Sequence, residues 1–208
     1  MIQGIDVSHW QGNINFTKVK EQGYDFVIIK AGGSDKGFYT DNKFEQNYEA
    51  AVAAGLHVGA YYFAGPKFLG AKSGKEDAEK FMKILGTKKF DYPVFLDIEA
   101  QPAGHQSEVT AAAYNFCKVM EAKNWFCGIY ASDVSGFVDR LNLNDVLPFT
   151  LWVARYGSQP QVAKSWGIHQ YSSKGAVTGI VGNVDINECK VDYPTTITKR
   201  FNNYTKGK

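Results

Sequence analysis

The chain has 208 residues, with 23 Lys and Arg against 21 Asp and Glu. A net charge of +2 excludes the basic stripe of a nucleic-acid binder, and the length suits one large domain with a full core. Its three cysteines, Cys117, Cys127 and Cys189, form no CxxC pair, which argues against a disulfide framework and a structural zinc site.

The dominant pattern is strand followed by helix. Ile2 to Val7 is short and apolar and reads as the first strand. A short helix over Phe16 to Gln22 stops at Gly23. Phe26-Val27-Ile28-Ile29 is a continuous apolar run, as expected of a strand buried on both faces. Asp41 is placed to cap a helix whose stripe is Phe44, Tyr48 and Val52 and which ends at Gly55. His57 to Phe63 is the third strand. Ala78, Phe81, Met82 and Leu85 then mark a helix closed by Gly86. Pro93 opens a fourth strand, Pro93-Val94-Phe95-Leu96, which runs into Asp97-Ile98-Glu99. Val109, Ala112, Ala113, Phe116, Cys117 and Met120 line one face of the next helix, so Cys117 belongs to a core. Phe126 to Tyr130 is the fifth strand.

After that the rhythm changes. Phe149 to Ala154, Gly167 to Tyr171 and Asn183 to Ile186 read as three more strands, joined by loops or by short helical pieces such as Val134 to Leu141. Alternation with buried strands implies a parallel sheet, and about eight strands suggest closure into a barrel with an irregular last third. From Lys190 the chain turns polar, with Lys199, Arg200, Lys206 and Lys208 beyond. Residues 1–189 are therefore expected to be the catalytic domain and 190–208 a basic tail or the start of a linker. No apolar stretch is long enough to span a membrane, and no charged leader with an apolar run opens the chain. If it acts on the bacterial cell wall, outside the cytoplasm, it is expected either to be released by lysis or by another agent or to have had a leader that this sequence lacks.

In a β/α barrel the chemistry sits at the C-terminal ends of the strands. Those positions hold Asp6, Tyr61 and Tyr62, Asp97 and Glu99, Tyr130, Trp152 and Arg155, Gln170, and Asp185. Asp97 and Glu99 are the sharpest pair. Residues i and i+2 of a strand face the same way, about 6–7 Å apart. Two such carboxyls raise one another's proton affinity, so one holds a proton beside an ionised partner, the division of labour that glycoside hydrolysis uses. An arbitrary DxE more often marks a solvated loop, and Asp6 or Asp185 alone reads equally well as a cap or turn residue. Their force comes from converging on one mouth. The aromatics, Trp10 and Tyr171 included, serve either core or sugar cleft. His9, His57, His105 and His169 show no metal-ligand spacing, and no cofactor is expected.

These residues also carry a resemblance. Gly4-Ile5-Asp6-Val7-Ser8-His9-Trp10-Gln11-Gly12 resembles the opening signature of glycoside hydrolase family 25, the lysozymes of phage and bacterial lytic enzymes. Phe26 to Ala31, Gly59-Ala60-Tyr61-Tyr62-Phe63 and Asp97-Ile98-Glu99 resemble its next strands. Trp152 to Tyr156, His169-Gln170-Tyr171 and Val184 to Asn187 resemble its last three, in order over residues 2–188. The resemblance implies a modified TIM-like barrel of five β/α units followed by three further strands. It implies hydrolysis of the β-1,4 bond between N-acetylmuramic acid and N-acetylglucosamine in peptidoglycan. By the same resemblance Glu99 is the general acid and Asp97 its acidic partner; the second step is either substrate assistance, with Asp97 orienting the acetamido group, which the i, i+2 spacing favours, or direct attack by water with inversion. Asp6 and Asp185 complete the site, and Tyr62 lies near the acetamido position. Tyr61, Tyr130, Trp152, Arg155 and Gln170 are the further candidates for substrate binding, with a separate wall-binding module expected C-terminal to this chain. A non-catalytic glycan-binding barrel and a hydrolase of another amino-sugar polymer such as chitin are the competing readings.

Overall fold

A computed structural model describes residues 1–197. Its first five strands of any length alternate with helices. In chain order they are β1 (Ile2–Val7), α1 (Phe16–Glu21), β2 (Phe26–Gly33), β3 (Tyr39–Thr40), α2 (Phe44–Ala53), β4 (His57–Phe63), α3 (Gly70–Leu85), β5 (Val94–Asp97), α4 (Gln106–Ala122) and β6 (Cys127–Ser132). The last third holds α5 (Leu143–Val146), β7 (Thr150–Ala154), β8 (Ile168–Gly175), β9 (Val184–Cys189) and α6 (Tyr193–Ile197).

The strands lie in the order β1-β9-β8-β7-β6-β5-β4-β2-β3, and β1 also pairs with β2, so the sheet closes on itself. The two-residue β3 is an appendage on β2, too short to show in the sequence pattern. The remaining strands form a TIM-like barrel in which β1 to β8 run parallel. β9 runs against both of its neighbours, β1 and β8. Five connections carry a helix, as expected, but only α2, α3 and α4 reach ten residues or more.

The apolar runs explain this arrangement. In β2 every residue from Phe26 to Gly33 is buried except Lys30, because one face meets the barrel interior and the other the helices. Inward glycines make room for large neighbours: a Cβ on Gly4 would sit 2.4 Å from the Phe26 ring. The interior below the mouth is filled by Phe26, Ile28, Phe95, Trp152 and Ile168. The second core layer lies between barrel and helices. There Val109, Ala112, Ala113, Phe116, Cys117 and Met120 of α4 are all buried, as their spacing predicts.

Four expectations are corrected. Asp41 does not cap α2; Lys43 stands at that position, and Asp41 accepts from the Lys43 N–H and from His9 instead. The buried face of α2 is Phe44, Asn47 and Ala51, with Val52 turned outward. The 134–141 segment forms successive turns rather than a helix. The polar segment from Lys190 does not leave the barrel at once. Tyr193 and Ile197, one helical turn apart on α6, are buried against Phe26, Tyr92 and Phe126 and plug the bottom of the barrel. Lys199, Arg200, Lys206 and Lys208 lie outside the described residues.

Candidate active site

The pleat decides what reaches the mouth. Each strand alternates its side chains between interior and helix layer. Toward the mouth the interior sequence holds Asp6 on β1, Lys30 on β2, Tyr61 and then Phe63 on β4, Asp97 on β5, and Tyr130 and then Ser132 on β6. On β8 it ends in Gln170, and on β9 it holds Asp185 and Asn187. Glu99 lies two residues past the end of β5. The ladder continues there through Ile98 N–H to the Tyr130 carbonyl (2.9 Å), so Glu99 keeps the facing of Asp97.

The four acids form two pairs. Asp6 and Asp185 are direct neighbours across the antiparallel β1–β9 ladder and are hydrogen-bonded to each other. Asp97 is buried and hydrogen-bonded to Glu99, which is exposed at the rim. Burial pushes the Asp97 carboxyl well above its ordinary range. The Glu99 charge and hydrogen bond add to that shift, the Lys30 ammonium opposes it, and Asp6 adds a little. Burial likewise raises Asp6, helped by the Asp185 charge and resisted by hydrogen bonds from Asn187 and Gln170. Asp185 is raised by burial against the hydrogen bond from Asp6. The mouth thus favours the protonated forms of Asp6, Asp97 and Asp185 over those of free carboxyls.

A polar network fixes Asp6. Its Oδ2 accepts from Gln170 Nε2 and from Asn187 Nδ2, each at 2.8 Å. Asn187 Oδ1 in turn accepts from Trp152 Nε1 at 2.8 Å. Gln170 Oε1 accepts from the Tyr130 and Tyr156 hydroxyls at 2.9 and 3.0 Å. Every amide in the chain is oriented by a donor on one side and a carboxylate on the other, so neither can flip without losing both bonds.

The sequence-derived candidates divide accordingly. Asp6, Asp97, Glu99, Asp185, Tyr61, Tyr130 and Gln170 come together, and Tyr61 feels the charges of Asp6, Asp97 and Glu99. Tyr62 does not join them. One residue out of phase with Tyr61, it packs on the helix side against Phe81 and Phe116 at 5.5 and 6.0 Å. Trp152 is fully buried beneath the mouth, edge-on to Tyr61 and 4.4 Å from the Tyr130 ring, so it is the floor of the cleft and not its wall. Arg155 follows the inward Ala154 and points away. Its guanidinium grips Asp133 at 2.7 Å and Ser158 at 2.8 Å. Asp133 also takes the N–H groups of Gln161, Val162 and Ala163. Burial disfavours its charge, but those donors and Arg155 outweigh it and hold the carboxyl below its ordinary range. Arg155 therefore braces a loop.

Three residues at the mouth escaped the sequence reading. Lys30 had a signal, as the one charged residue in an apolar run on the inward phase of Phe26 and Ile28. Asn187 had a weaker one, two residues past Asp185 on the same phase. Tyr156 is half exposed at the rim with its hydroxyl pushed up to about 12, by burial and then by the Asp185 charge. It lies past the end of β7, where phase gives no guidance. Among the described residues no group of three or more His, Cys, Asp and Glu is arranged to hold a metal ion.

Comparison with known proteins identifies the family and agrees with the barrel fold. The sequence profile described as Glycosyl hydrolases family 25 matches residues 5–180. Lysozyme M1 of Streptomyces globisporus is 34% identical over 90% of this chain and 67% of its own length. The autolytic lysozyme of Clostridium acetobutylicum is 30% identical over 90% of this chain, which spans only 55% of that protein. A bacterial lysozyme from Streptomyces coelicolor superimposes with a TM-score of 0.78 at 30% identity, covering 97% of this chain and 98% of that one.

Proposed function

This chain belongs to glycosyl hydrolases family 25 and is a glycoside hydrolase, and from that premise we propose that it is a lysozyme acting on the glycan strands of the bacterial cell wall. The bond we assign is the β-1,4 linkage between N-acetylmuramic acid and N-acetylglucosamine. One observation carries the reading: two carboxyl pairs, Asp97–Glu99 and Asp6–Asp185, face one barrel mouth, and burial raises the proton affinity of Asp97 and of Asp6.

Glu99 is the general acid. It is the one member of the four exposed at the rim, where a leaving-group oxygen can reach it. In the resting site burial favours the protonated form of Asp97. A substrate whose acetamido N–H approaches Asp97 favours the ionised form of that residue. The proton then passes along the hydrogen bond to Glu99. Glu99 delivers it to the glycosidic oxygen as the acetamido oxygen attacks the anomeric carbon and the C–O bond breaks. Water opens the resulting ring, giving its proton back to Glu99. Two carboxyls on one strand leave little room for a water on the far sugar face, which favours this route over direct displacement. An inverted anomer in the first product, seen by NMR, would sink that preference. Asp6 and Asp185 add a field that opposes full ionisation of the mouth. Tyr61, Tyr130 and Tyr156 supply aromatic walls and hydroxyls. A separate wall-binding module beyond this chain is part of the same proposal, to be tested on the full-length gene product.

The test uses purified peptidoglycan with the wild-type protein and with Glu99→Gln. New reducing ends are trapped with borohydride and identified by mass spectrometry. Muramicitol ends from the wild type, and nearly none from the variant, support the bond and the acid together. Glucosaminitol ends would reassign the bond. Walls that are bound but never cut would favour a binding barrel.

A further inference from the structure

A second polar cavity lies on the outer wall of the barrel. The connection from β7 to β8 carries no helix, so its loop lies against the outward faces of β8 and β9 in a helix's place. Between this loop and β8, β9 and β1 is a cavity of about 370 Å³, whose lining includes Gln3, Ser158, Gln159, His169, Tyr171 and Glu188. It is separate from the carboxylate mouth. Gln3, His169 and Glu188 sit on the opposite faces of their strands from Asp6, Gln170 and Asn187.

The cavity is held in shape by hydrogen bonds that use only part of its polar capacity. His169 is 1% exposed, with Nδ1 3.0 Å from Glu188 Oε1 and Nε2 2.8 Å from the Arg155 carbonyl oxygen. Gln159 Nε2 donates to the same Glu188 oxygen at 2.8 Å. Ser158 Oγ accepts from Arg155 Nε, and the Tyr171 hydroxyl donates to Gln3 Oε1 at 2.9 Å. Tyr171 is the extra residue of a bulge in β8, where Gln170 pairs with Asn187 and Ser172 with the very next residue, Ile186. A bulge re-aims the side chain it carries, and this one presents a half-buried ring to the cavity. Four groups then stay without a partner among the described residues: Glu188 Oε2, Gln159 Oε1, the Gln3 amide N–H groups and the Ser158 hydroxyl hydrogen. The Glu188 side chain keeps 11% of its surface exposed and lines the cavity, so a ligand can reach it.

That set of groups selects a ligand. Among the described residues no lysine or arginine lines the cavity, so an anion finds no countercharge there. Two acceptors, two donors and an aromatic ring suit a neutral amino sugar. Its hydroxyls donate and accept, its acetamido group does both, and its C–H face packs on a ring. We propose that this cavity is a second glycan-binding site, taking an N-acetylglucosamine unit of a strand held outside the mouth. Glu188 and Gln159 accept from the sugar, Gln3 and Ser158 donate to it, and Tyr171 lies under it. The inference goes beyond the lysozyme reading and does not depend on it.

The test follows the assigned amide spectrum of the full chain carrying Glu99→Gln, so that a strand in the mouth stays whole. The probe is the N-acetylglucosamine tetramer, with inorganic phosphate as the control. The Gln3, Ser158 and Gln159 signals are expected to move and saturate along one isotherm, distinct from that of Tyr61 and Glu99 at the mouth. Tyr171→Ala should weaken the outer isotherm roughly fivefold and Gln3→Leu roughly threefold, with the mouth isotherm unchanged. If Tyr171→Ala does not fold, Gln3→Leu decides. Outer signals that stay still under the tetramer, or that answer only to phosphate, overturn the proposal. So does an outer isotherm that neither variant weakens. Walls cut by the wild type without an outer isotherm remove the second site and keep the lysozyme. An outer isotherm on a chain that never cuts walls does the reverse.

Discussion

The two ends of the barrel are built from the same strands by the same alternation, and they behave as opposites. At the bottom, Phe26 stacks on Tyr92 at 4.5 Å, and Tyr193 closes over Tyr92 and Phe126, so each ring finds apolar neighbours. At the opposite end of the barrel the inward positions include Asp6, Lys30, Asp97 and Gln170. There one carboxyl oxygen of Asp97 is buried without a partner, and burial raises the proton affinity of three of the four acids. The bottom stabilises the fold. The mouth costs stability and holds the groups in reach of a ligand. A position's distance along its strand, more than its residue type, decides which role it has.

Substitutions at each end can break or sharpen this contrast. The largest effect is expected from Glu99→Gln, which should lower release of reducing ends from walls roughly 10³-fold with no change in melting temperature. A melting shift of several degrees would mean that Glu99 also supports the fold. Next is Tyr193→Ala at the bottom. It removes the plug and should cost about 3 kcal/mol in denaturant unfolding, while activity per folded molecule stays the same. Loss of activity without loss of stability would show that the two ends are coupled. Asn187→Ala strands the Trp152 indole N–H and leaves Asp6 one donor short. Its kcat should fall roughly tenfold with little change in KM. An effect on KM alone would make Asn187 a contact to the sugar.

The smallest effect is the most diagnostic. Burial raises the Asp97 carboxyl above the ordinary value of 3.8, so its neutral form is favoured in the folded state. Its stabilising share is present below that value and is lost as the pH rises through the folded pKa. Asp97→Asn removes the cost. Differential scanning at neutral pH should show a melting temperature higher by roughly 2–4 °C, with the gain vanishing as the pH falls below about 4. Wall hydrolysis should be lost throughout. A gain that persists in acid would place its origin in packing.

How far the sequence foretold this molecule depends on phase. Continuous apolar runs located the parallel strands, and the Asp97-Ile98-Glu99 spacing kept both carboxyls on one face. The same alternation rule separates Tyr61 from Tyr62 and Trp152 from Arg155, yet both members of each pair were placed at the mouth, because strand ends rather than phase guided the choice. The reversed direction of β9 leaves no trace in a run of residues; only its pairing with β1 and β8 reveals it. The tail reading failed over Lys190 to Ile197 because polarity outweighed two buried residues one helical turn apart.

Closure of β1 onto β9 has a consequence for synthesis. Asn187 and Asp6 share a hydrogen bond across 181 residues of chain, and Asp185 meets Asp6 on the same ladder. β1 therefore waits for β9 before its second edge is paired. Until β9 emerges, Asp6 lacks the donor from Asn187, and the second carboxyl pair does not exist. Such distant pairing is slow to form, and a nascent chain is a barrel with an open seam and an incomplete mouth. The mouth is thereby complete only once β9 has been made and paired.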